Sequence, residues 1–299
     1  MTNAYADIEN KDKNMSYEYS KRKKKFFDGD DYVVVREEKF LGLNVGYECT
    51  MWRYEAFVNF LFSYLVEFAT QFSDLNKVNA DTAYEMLVHA AQMVYTSEKY
   101  GKRGEFGELL LHAILREQFG TEPVISKLYF KSSTNDTVKG FDAVHALENQ
   151  DGVVELWLGE VKFYSDIEAA INAVIDEIYE HIDQKKLREE FICVGPHVGK
   201  GWRFEEQVSK LMDPNTSLDE VFPVVCIPVL LTYESETVQS ASKISDEFLK
   251  ELKCELQKHK DNFFKKIGEL GVTVKLILLP LDNKKKLNAI LNEKLKGLQ

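Results

Sequence analysis

Three charged side chains fall at positions that come together if two neighbouring segments pair as strands. Asp142 lies in the run Gly-Phe-Asp-Ala-Val, and Glu160 with Lys162 lies in Leu-Gly-Glu-Val-Lys-Phe-Tyr. Between them, the turn-forming run Asn-Gln-Asp-Gly at 149–152 predicts a β-hairpin centred near Asp151. That centre places Asp142 opposite Glu160. A two-residue turn would instead shift the register by one place and send Asp142 to the other face of the sheet.

The pair of facing carboxylates indicates a bound cation. Cβ atoms directly opposite each other on antiparallel strands lie roughly 5 Å apart, a distance at which two negative charges repel unless a divalent ion cancels them. Because side chains alternate along a strand, Lys162 shares the face of Glu160, where it can orient water or stabilise charge on a phosphate. We therefore predict metal-dependent phosphodiester cleavage. The alternative is an ordinary ion pair between Glu160 and Lys162, with Asp142 capping a turn.

The segment 104–115 predicts an amphipathic helix that can supply a further carboxylate. Glu105, Glu108 and His112 are spaced three and four residues apart along one stripe. Acidic residues in a first turn are also favoured by the helix dipole, by a few tenths of a kcal/mol to about 1 kcal/mol, and that effect demands no particular face. As a third metal ligand we favour Glu108, with Glu105 as the second choice.

The order of these elements resembles the PD-(D/E)xK nuclease superfamily, which has a helix with Glu, a strand, a strand with Asp, a strand with Glu-x-Lys and another helix. The resemblance implies a mixed sheet flanked by helices, with Mg²⁺ or Mn²⁺ bound by the Asp and by the Glu of Glu-x-Lys. It also implies that the Lys assists the attacking water and that a Glu of the first helix joins the site. These roles fall on Asp142, Glu160, Lys162 and Glu108. Phe141 stands in place of the Pro in the superfamily's name.

The chain as a whole resembles the HamA family, the nuclease subunits of the bacterial Hachiman anti-phage defence system. The resemblance rests on three blocks, residues 104–115, 139–145 and 157–164, together with length and layout. It implies a HamB-like superfamily 2 helicase as a partner. In that interpretation the helicase senses phage replication or damaged DNA, and the nuclease then destroys DNA in the infected cell.

The charge of the chain argues against tight, constitutive binding to nucleic acid. The formal net charge is −11, whereas phosphate contacts need concentrated positive charge. Basic residues are local instead, at 21–25, at 284–286, and at Lys200 and Arg203, and each group is more typical of a solvated stretch than of a groove contact. Weak intrinsic affinity suits an enzyme that a partner brings to its DNA substrate.

Composition predicts a folded, soluble protein. Hydrophobic residues make up 44% of the 299 positions, which is ample for a packed core. The apolar run at 221–231 contains two prolines and is far shorter than the ~20 residues of a spanning helix, and the polar residues 1–20 exclude a secretory signal. The four cysteines are scattered, so neither zinc nor disulfides are indicated. We expect a cytoplasmic protein without membrane contact.

Hydrophobic periodicity predicts an α/β fold, a mixed central sheet flanked by helices with a mainly helical N-terminal extension. We expect a flexible tail over residues 1–30, a β and helical extension over 31–100, and a nuclease domain over 101–299. The sequence predicts one helix over 51–72 and a strand over 191–195.

The glycine-rich loop at 195–201 superficially suggests a phosphate cradle. It fails as a P-loop because Val194 stands at the first Gly position and Gly201 at the Ser or Thr position. His197 would approach a phosphate only if this loop lies at the catalytic edge of the sheet, and a plain connection between elements is the simpler interpretation.

Two other functions remain open from the sequence. A subunit with a nuclease fold could lack activity and only hold the helicase, with its charged residues kept for structure. The enzyme could also be a metal-dependent RNase, because the motif recognises a phosphate and not a sugar.

Overall fold

The computed structural model describes residues 25–95, 104–126 and 140–299. Its strands are β1 (Val33–Glu37), β2 (Phe40–Leu43), β3 (Tyr47–Glu48), β4 (Met51–Trp52), β5 (Glu122–Pro123), β6 (Ala143–Glu148), β7 (Val154–Phe163), β8 (Val225–Glu234) and β9 (Thr273–Leu281). Seven of these strands form one sheet in the order β1-β2-β9-β8-β7-β6-β5, and β3 pairs with β4 separately. The expected α/β class with a mixed central sheet is confirmed.

The centre of the sheet is parallel and its edges are antiparallel. Strands β7, β8, β9 and β2 run parallel to one another, whereas β1 on one side and the β6 and β5 pair on the other side run antiparallel to their neighbours. Strand β8 is buried along nearly its whole length, as expected of a strand covered on both faces. Strand β7 therefore joins the parallel centre to the antiparallel edge.

Helices cover both faces of this sheet. In chain order, the helices of the described residues are α1 (Tyr54–Phe62), α2 (Leu65–Ala69), α3 (Phe72–Leu75), α4 (Ala83–Tyr95), α5 (Glu105–Ile114), α6 (Ile167–His181), α7 (Gln184–Val194), α8 (Glu205–Met212), α9 (Leu218–Val221), α10 (Glu236–Ser240), α11 (Asp246–Ile267) and α12 (Lys284–Lys296). A π-helical turn, Leu115–Phe119, extends α5. Within the described part of the chain, none of the helices combines the length and the apolar character needed to cross a membrane.

Helices α5 and α6 pack on opposite faces of β7. A Cβ built on Gly107 of α5 would lie 3.3 Å from Cγ2 of Val161, and one built on Gly159 would lie 2.9 Å from Cδ2 of Leu111. Side chains alternate along β7, so Glu160 and Lys162 point away from α5. On that other face the ammonium group of Lys162 pairs with Glu177 of α6.

The N-terminal extension is part of the central sheet and is not a separate layer. Strand β2 pairs in parallel with β9, and the predicted single helix over 51–72 is divided into α1, α2 and α3. Most of the predicted tail lies outside the described residues. Its last part is packed, since Phe27 is buried and the amides of Phe26 and Phe27 donate to the carboxylate of Glu117 at 2.7 and 2.9 Å.

The strand predicted over 191–195 is wrong, because those residues end helix α7 and begin a short 3₁₀ turn. Asp183 starts the helix, and its carboxylate accepts hydrogen bonds from the amides of Lys185 and Lys186. The apolar residues Leu187 and Phe191 are four apart and both are buried, which is the helical spacing. A short run of apolar residues does not by itself distinguish a strand from a buried helix end.

Candidate functional site

The hairpin of β6 and β7 has the register predicted from its turn. Val144 faces Leu158, and Ala143 faces Gly159. Asp142 directly precedes β6, so the same register places it opposite Glu160. The turn is closed by a hydrogen bond of 2.9 Å from the amide of Asn149 to the carbonyl of Val153. Its last residue, Gly152, has a left-handed φ of +76°, a conformation that favours glycine. This longer turn keeps Asp142 in register with Glu160.

Asp142 is held at the end of this hairpin by a backbone contact. Its Oδ2 accepts a hydrogen bond of 3.0 Å from the amide of Val161, the residue after Glu160. The charge of Asp142 also acts on Glu160, raising the pKa of that carboxyl group. The two carboxylates of the predicted pair are therefore neighbours.

Glu160 is the most buried acid of the site, with 2% of its side chain exposed. Burial raises the pKa of Glu160 to about 8, and Asp142 adds to this rise against the lowering effects of His181 and Lys162. Its Oε1 lies 3.1 Å from Nε2 of His181, yet it makes no hydrogen bond of good geometry within the described residues. A buried carboxylate oxygen in this state is destabilising until a cation or a proton satisfies it.

Lys162 lies on the same face of β7 as Glu160, as the alternation of the strand predicts. Its side chain is mostly buried, and its ammonium group forms an ion pair with Glu177 of α6. The positive charge of Lys162 lowers the pKa of Glu160, so the two groups interact electrostatically. The Glu-x-Lys run thus places the carboxyl group of Glu160 and the ammonium group of Lys162 side by side under helix α6.

Three residues that the sequence did not identify complete the surroundings of the site. Glu177 and His181 lie four residues apart on α6, which puts both on the helix face above β7. Glu190 of α7 contacts His181, with 2.7 Å between Oε1 and Nδ1. The signal in the sequence for Glu177 and His181 was this spacing on an otherwise apolar helix face, and Glu190 had no such signal.

Glu108 lies on the helix that packs against the other face of β7. It is buried on α5, the helix that packs against Gly159 and Val161, whereas Glu160 and Lys162 point to the opposite face. Glu105 occupies the same helix. Both residues stay predictions as a third metal ligand.

The residues present fit a divalent cation held by two carboxylates. Across residues 25–95, 104–126 and 140–299, no group of three His, Cys, Asp or Glu side chains is arranged to hold a metal ion. Mg²⁺ in proteins commonly keeps several waters and takes only one or two carboxylates. Asp142 and Glu160 meet that need, and the unsatisfied Oε1 of Glu160 is an oxygen that a cation would stabilise.

The glycine-rich loop lies away from this site. Together with the α2–α3 connection and residues 123–126, it lines a cavity of about 210 Å³. A Cβ built on Gly199 would lie 2.8 Å from Cβ of Phe72, so glycine permits this close packing. Arg203 pairs with Glu122 of β5. Because β5 is separated from β7 by β6, the loop borders the edge of the sheet and not the Glu-x-Lys segment.

Comparison with known proteins identifies the family. No curated protein matches the chain. The family model described as HamA matches residues 21–295 of the 299, a span that includes Asp142, Glu160 and Lys162. The chain therefore belongs to the HamA family.

Proposed function

We propose that this protein is a metal-dependent DNA nuclease, the effector of a defence system in which a helicase partner controls it. As a member of the HamA family, it is a protein associated with Hachiman defence. The observation that carries the proposal is the convergence of Asp142, Glu160 and Lys162 at one end of the β6–β7 hairpin. Two carboxyl groups that can hold a metal ion, with one ammonium group beside them, suit phosphodiester cleavage.

In this proposal each charged residue of the hairpin has its own role. Asp142 and Glu160 hold the metal ion, which, when bound, supplies Lewis acidity to the phosphodiester. Lys162 donates hydrogen bonds to the water or to the phosphate oxygen on which negative charge grows. Its ion pair with Glu177 orients the ammonium group before substrate arrives.

The substrate class can be tested directly with purified protein. Plasmid, linear duplex DNA, single-stranded DNA and RNA are incubated with Mg²⁺ or with EDTA, with and without the helicase. We expect cleavage of DNA that requires Mg²⁺. Cleavage of RNA alone would make the enzyme an RNase, and equal cleavage in EDTA would contradict the metal-dependent mechanism.

Metal binding is a second, separate test of the same proposal. Titration calorimetry with Mn²⁺ is expected to detect one site in the wild type and much weaker binding in Asp142→Asn. The matched control is Asp166→Asn, because Asp166 caps α6 and lies outside the pair of carboxylates. Unchanged affinity in Asp142→Asn would contradict the assignment of Asp142 as a ligand.

Control by a partner is implied by the resemblance to the HamA family, and the net charge of −11 agrees with it because that charge disfavours independent capture of DNA. We expect the protein to copurify with a helicase of the HamB type and to remain silent until that helicase engages DNA and hydrolyses ATP. The test combines pull-down of two tagged proteins with cleavage assays with and without ATP. Absence of a complex, or full activity that ignores both helicase and ATP, would contradict partner control.

An inactive scaffold is the second candidate, because the ion pairs of the site suit a structural role as well. Lys162 pairs with Glu177 and Glu160 approaches His181, contacts that a purely structural cluster would also make. Lys162→Ala separates the two candidates. A scaffold loses stability or partner binding in this variant, whereas the nuclease keeps both and loses cleavage.

A further inference from the structure

His181 occupies an unusual place at the last turn of α6. Its imidazole lies between two carboxylates, with Nε2 3.1 Å from Oε1 of Glu160 and Nδ1 2.7 Å from Oε1 of Glu190. Only 14% of the side chain is exposed. Both ring nitrogens therefore face an acid, and one of these acids is Glu160 of the Glu-x-Lys motif.

The ring of His181 is also fixed from the side. It stacks on Phe141, with ring centroids 4.4 Å apart and an angle of 28° between the planes. Phe141 is buried and directly precedes Asp142. The imidazole thus contacts Phe141, the neighbour of one proposed metal ligand, and Glu160, the other proposed ligand.

Glu190 anchors the other side of the His181 ring. It lies close to the backbone before Phe141, since a Cβ built on Gly140 would be 3.6 Å from Oε1 of Glu190. The imidazole is therefore bracketed between Glu160 and Glu190, and both contacts set its orientation.

We propose that His181, backed by Glu190, is a positioning residue that fixes the Glu160 carboxylate in the orientation needed to bind a divalent cation. The proposal rests on the proposed function and extends it to helix α6. Groups that hold the ligands of a metal typically matter 10–100-fold for metal affinity. His181 acts here through Glu160, and Glu190 acts through His181.

The test replaces both side chains of this unit. The double variant His181→Phe with Glu190→Gln keeps a flat ring that can stack on Phe141 but places no nitrogen beside Glu160. The double variant His181→Gln with Glu190→Gln restores a polar side chain at that place. The control is His259→Phe. His259 lies on helix α11, and the centroid of its ring is 5.0 Å from that of Tyr233. Titration calorimetry with Mn²⁺ and thermal unfolding in EDTA are measured for each protein.

We expect the Phe variant to bind Mn²⁺ about 10–100-fold more weakly. We expect the Gln variant to recover most of this loss and the His259 control to bind like the wild type. If the Phe variant binds Mn²⁺ as tightly as the wild type, the positioning role is overturned. It is also overturned if the two double variants lose the same Mn²⁺ affinity and the same stability. A wild type that binds no Mn²⁺ would instead contradict the metal site itself, and the positioning role would fall with it.

Discussion

Substituting Glu160 by Gln should stabilise the metal-free protein while it abolishes cleavage. The carboxyl group of Glu160 is 2% exposed, and burial together with Asp142 raises its pKa to about 8. A carboxylate in an unfolded chain titrates near 4.5. At pH 7 the folded protein must therefore hold a proton that the unfolded chain releases, which favours unfolding.

The size of this effect follows from the pKa difference. At about 1.4 kcal/mol per pKa unit, holding the proton costs the folded protein roughly 3 kcal/mol at pH 7. Gln has nearly the shape of the protonated acid and has no proton to lose. With an unfolding entropy of roughly 0.6 kcal/mol/K for a chain of this length, a gain of about 3 kcal/mol raises Tm by roughly 5 °C.

Thermal unfolding in EDTA from pH 5 to pH 9 measures this prediction. A raised acid pKa makes wild-type stability fall as pH rises from about 4.5 towards about 8 and level off above that value. The Gln variant should lack this part of the slope, so its advantage should grow across that window. Mn²⁺ at about 1,000 times Kd should reverse the order at pH 7, because it stabilises the wild type by about 4.1 kcal/mol, more than the roughly 3 kcal/mol advantage of the variant, and leaves the variant unchanged.

A different outcome would refute the reasoning. If Glu160 only forms a structural ion pair with His181, the Gln variant should be less stable than the wild type in EDTA. Mn²⁺ should then have the same effect on both proteins.

Three further outcomes are expected. Lys162→Met should remove cleavage and lower the free energy of unfolding by less than about 1 kcal/mol, because its partner Glu177 is 42% exposed. Urea unfolding measures this change, and a larger loss would contradict a catalytic role. Glu67→Gln should cost about 3 kcal/mol or more by urea unfolding, because the largely buried carboxylate of Glu67 pairs with Arg116 at 2.5 Å, and the exposed Glu85→Gln is a neutral control. Although burial opposes it, His112 and Arg116 lower the pKa of Glu67 to about 2, so wild-type stability should fall as pH drops from about 4.5 towards 2, and the variant should lack that loss. Gly159→Ala should destabilise the protein by about 1–3 kcal/mol, because the added Cβ would lie 3.2 Å from Cβ of Ala143. An unchanged Tm would contradict this prediction.

The sequence predicted the hairpin of the site because strand pairing obeys a simple period. Once the turn centre was placed near Asp151, alternation required Lys162 to share a face with Glu160, and the observed pairing of Val144 with Leu158 agrees. The left-handed Gly152 explains why the turn has the length that keeps Asp142 in register. These features depend only on neighbours in sequence.

The contacts that could not be predicted depend on how distant elements pack. The periodicity of 104–115 identified a helix, but it did not tell which face of β7 the helix covers, and Glu108 lies on the face away from Glu160. His181 and Glu190 come from two helices that follow the motif, and only the angle at which these helices cross the sheet brings them to Glu160. For the same reason the apolar end of α7 resembled a strand.

The central claim is that Asp142 and Glu160 together hold a divalent metal ion. The most direct measurement is anomalous scattering from crystals grown or soaked with Mn²⁺. We predict one strong peak within coordination distance, roughly 2–2.5 Å, of a carboxylate oxygen of each residue. A peak bound elsewhere on the protein, or no peak between these two carboxylates at saturating Mn²⁺, would contradict the account.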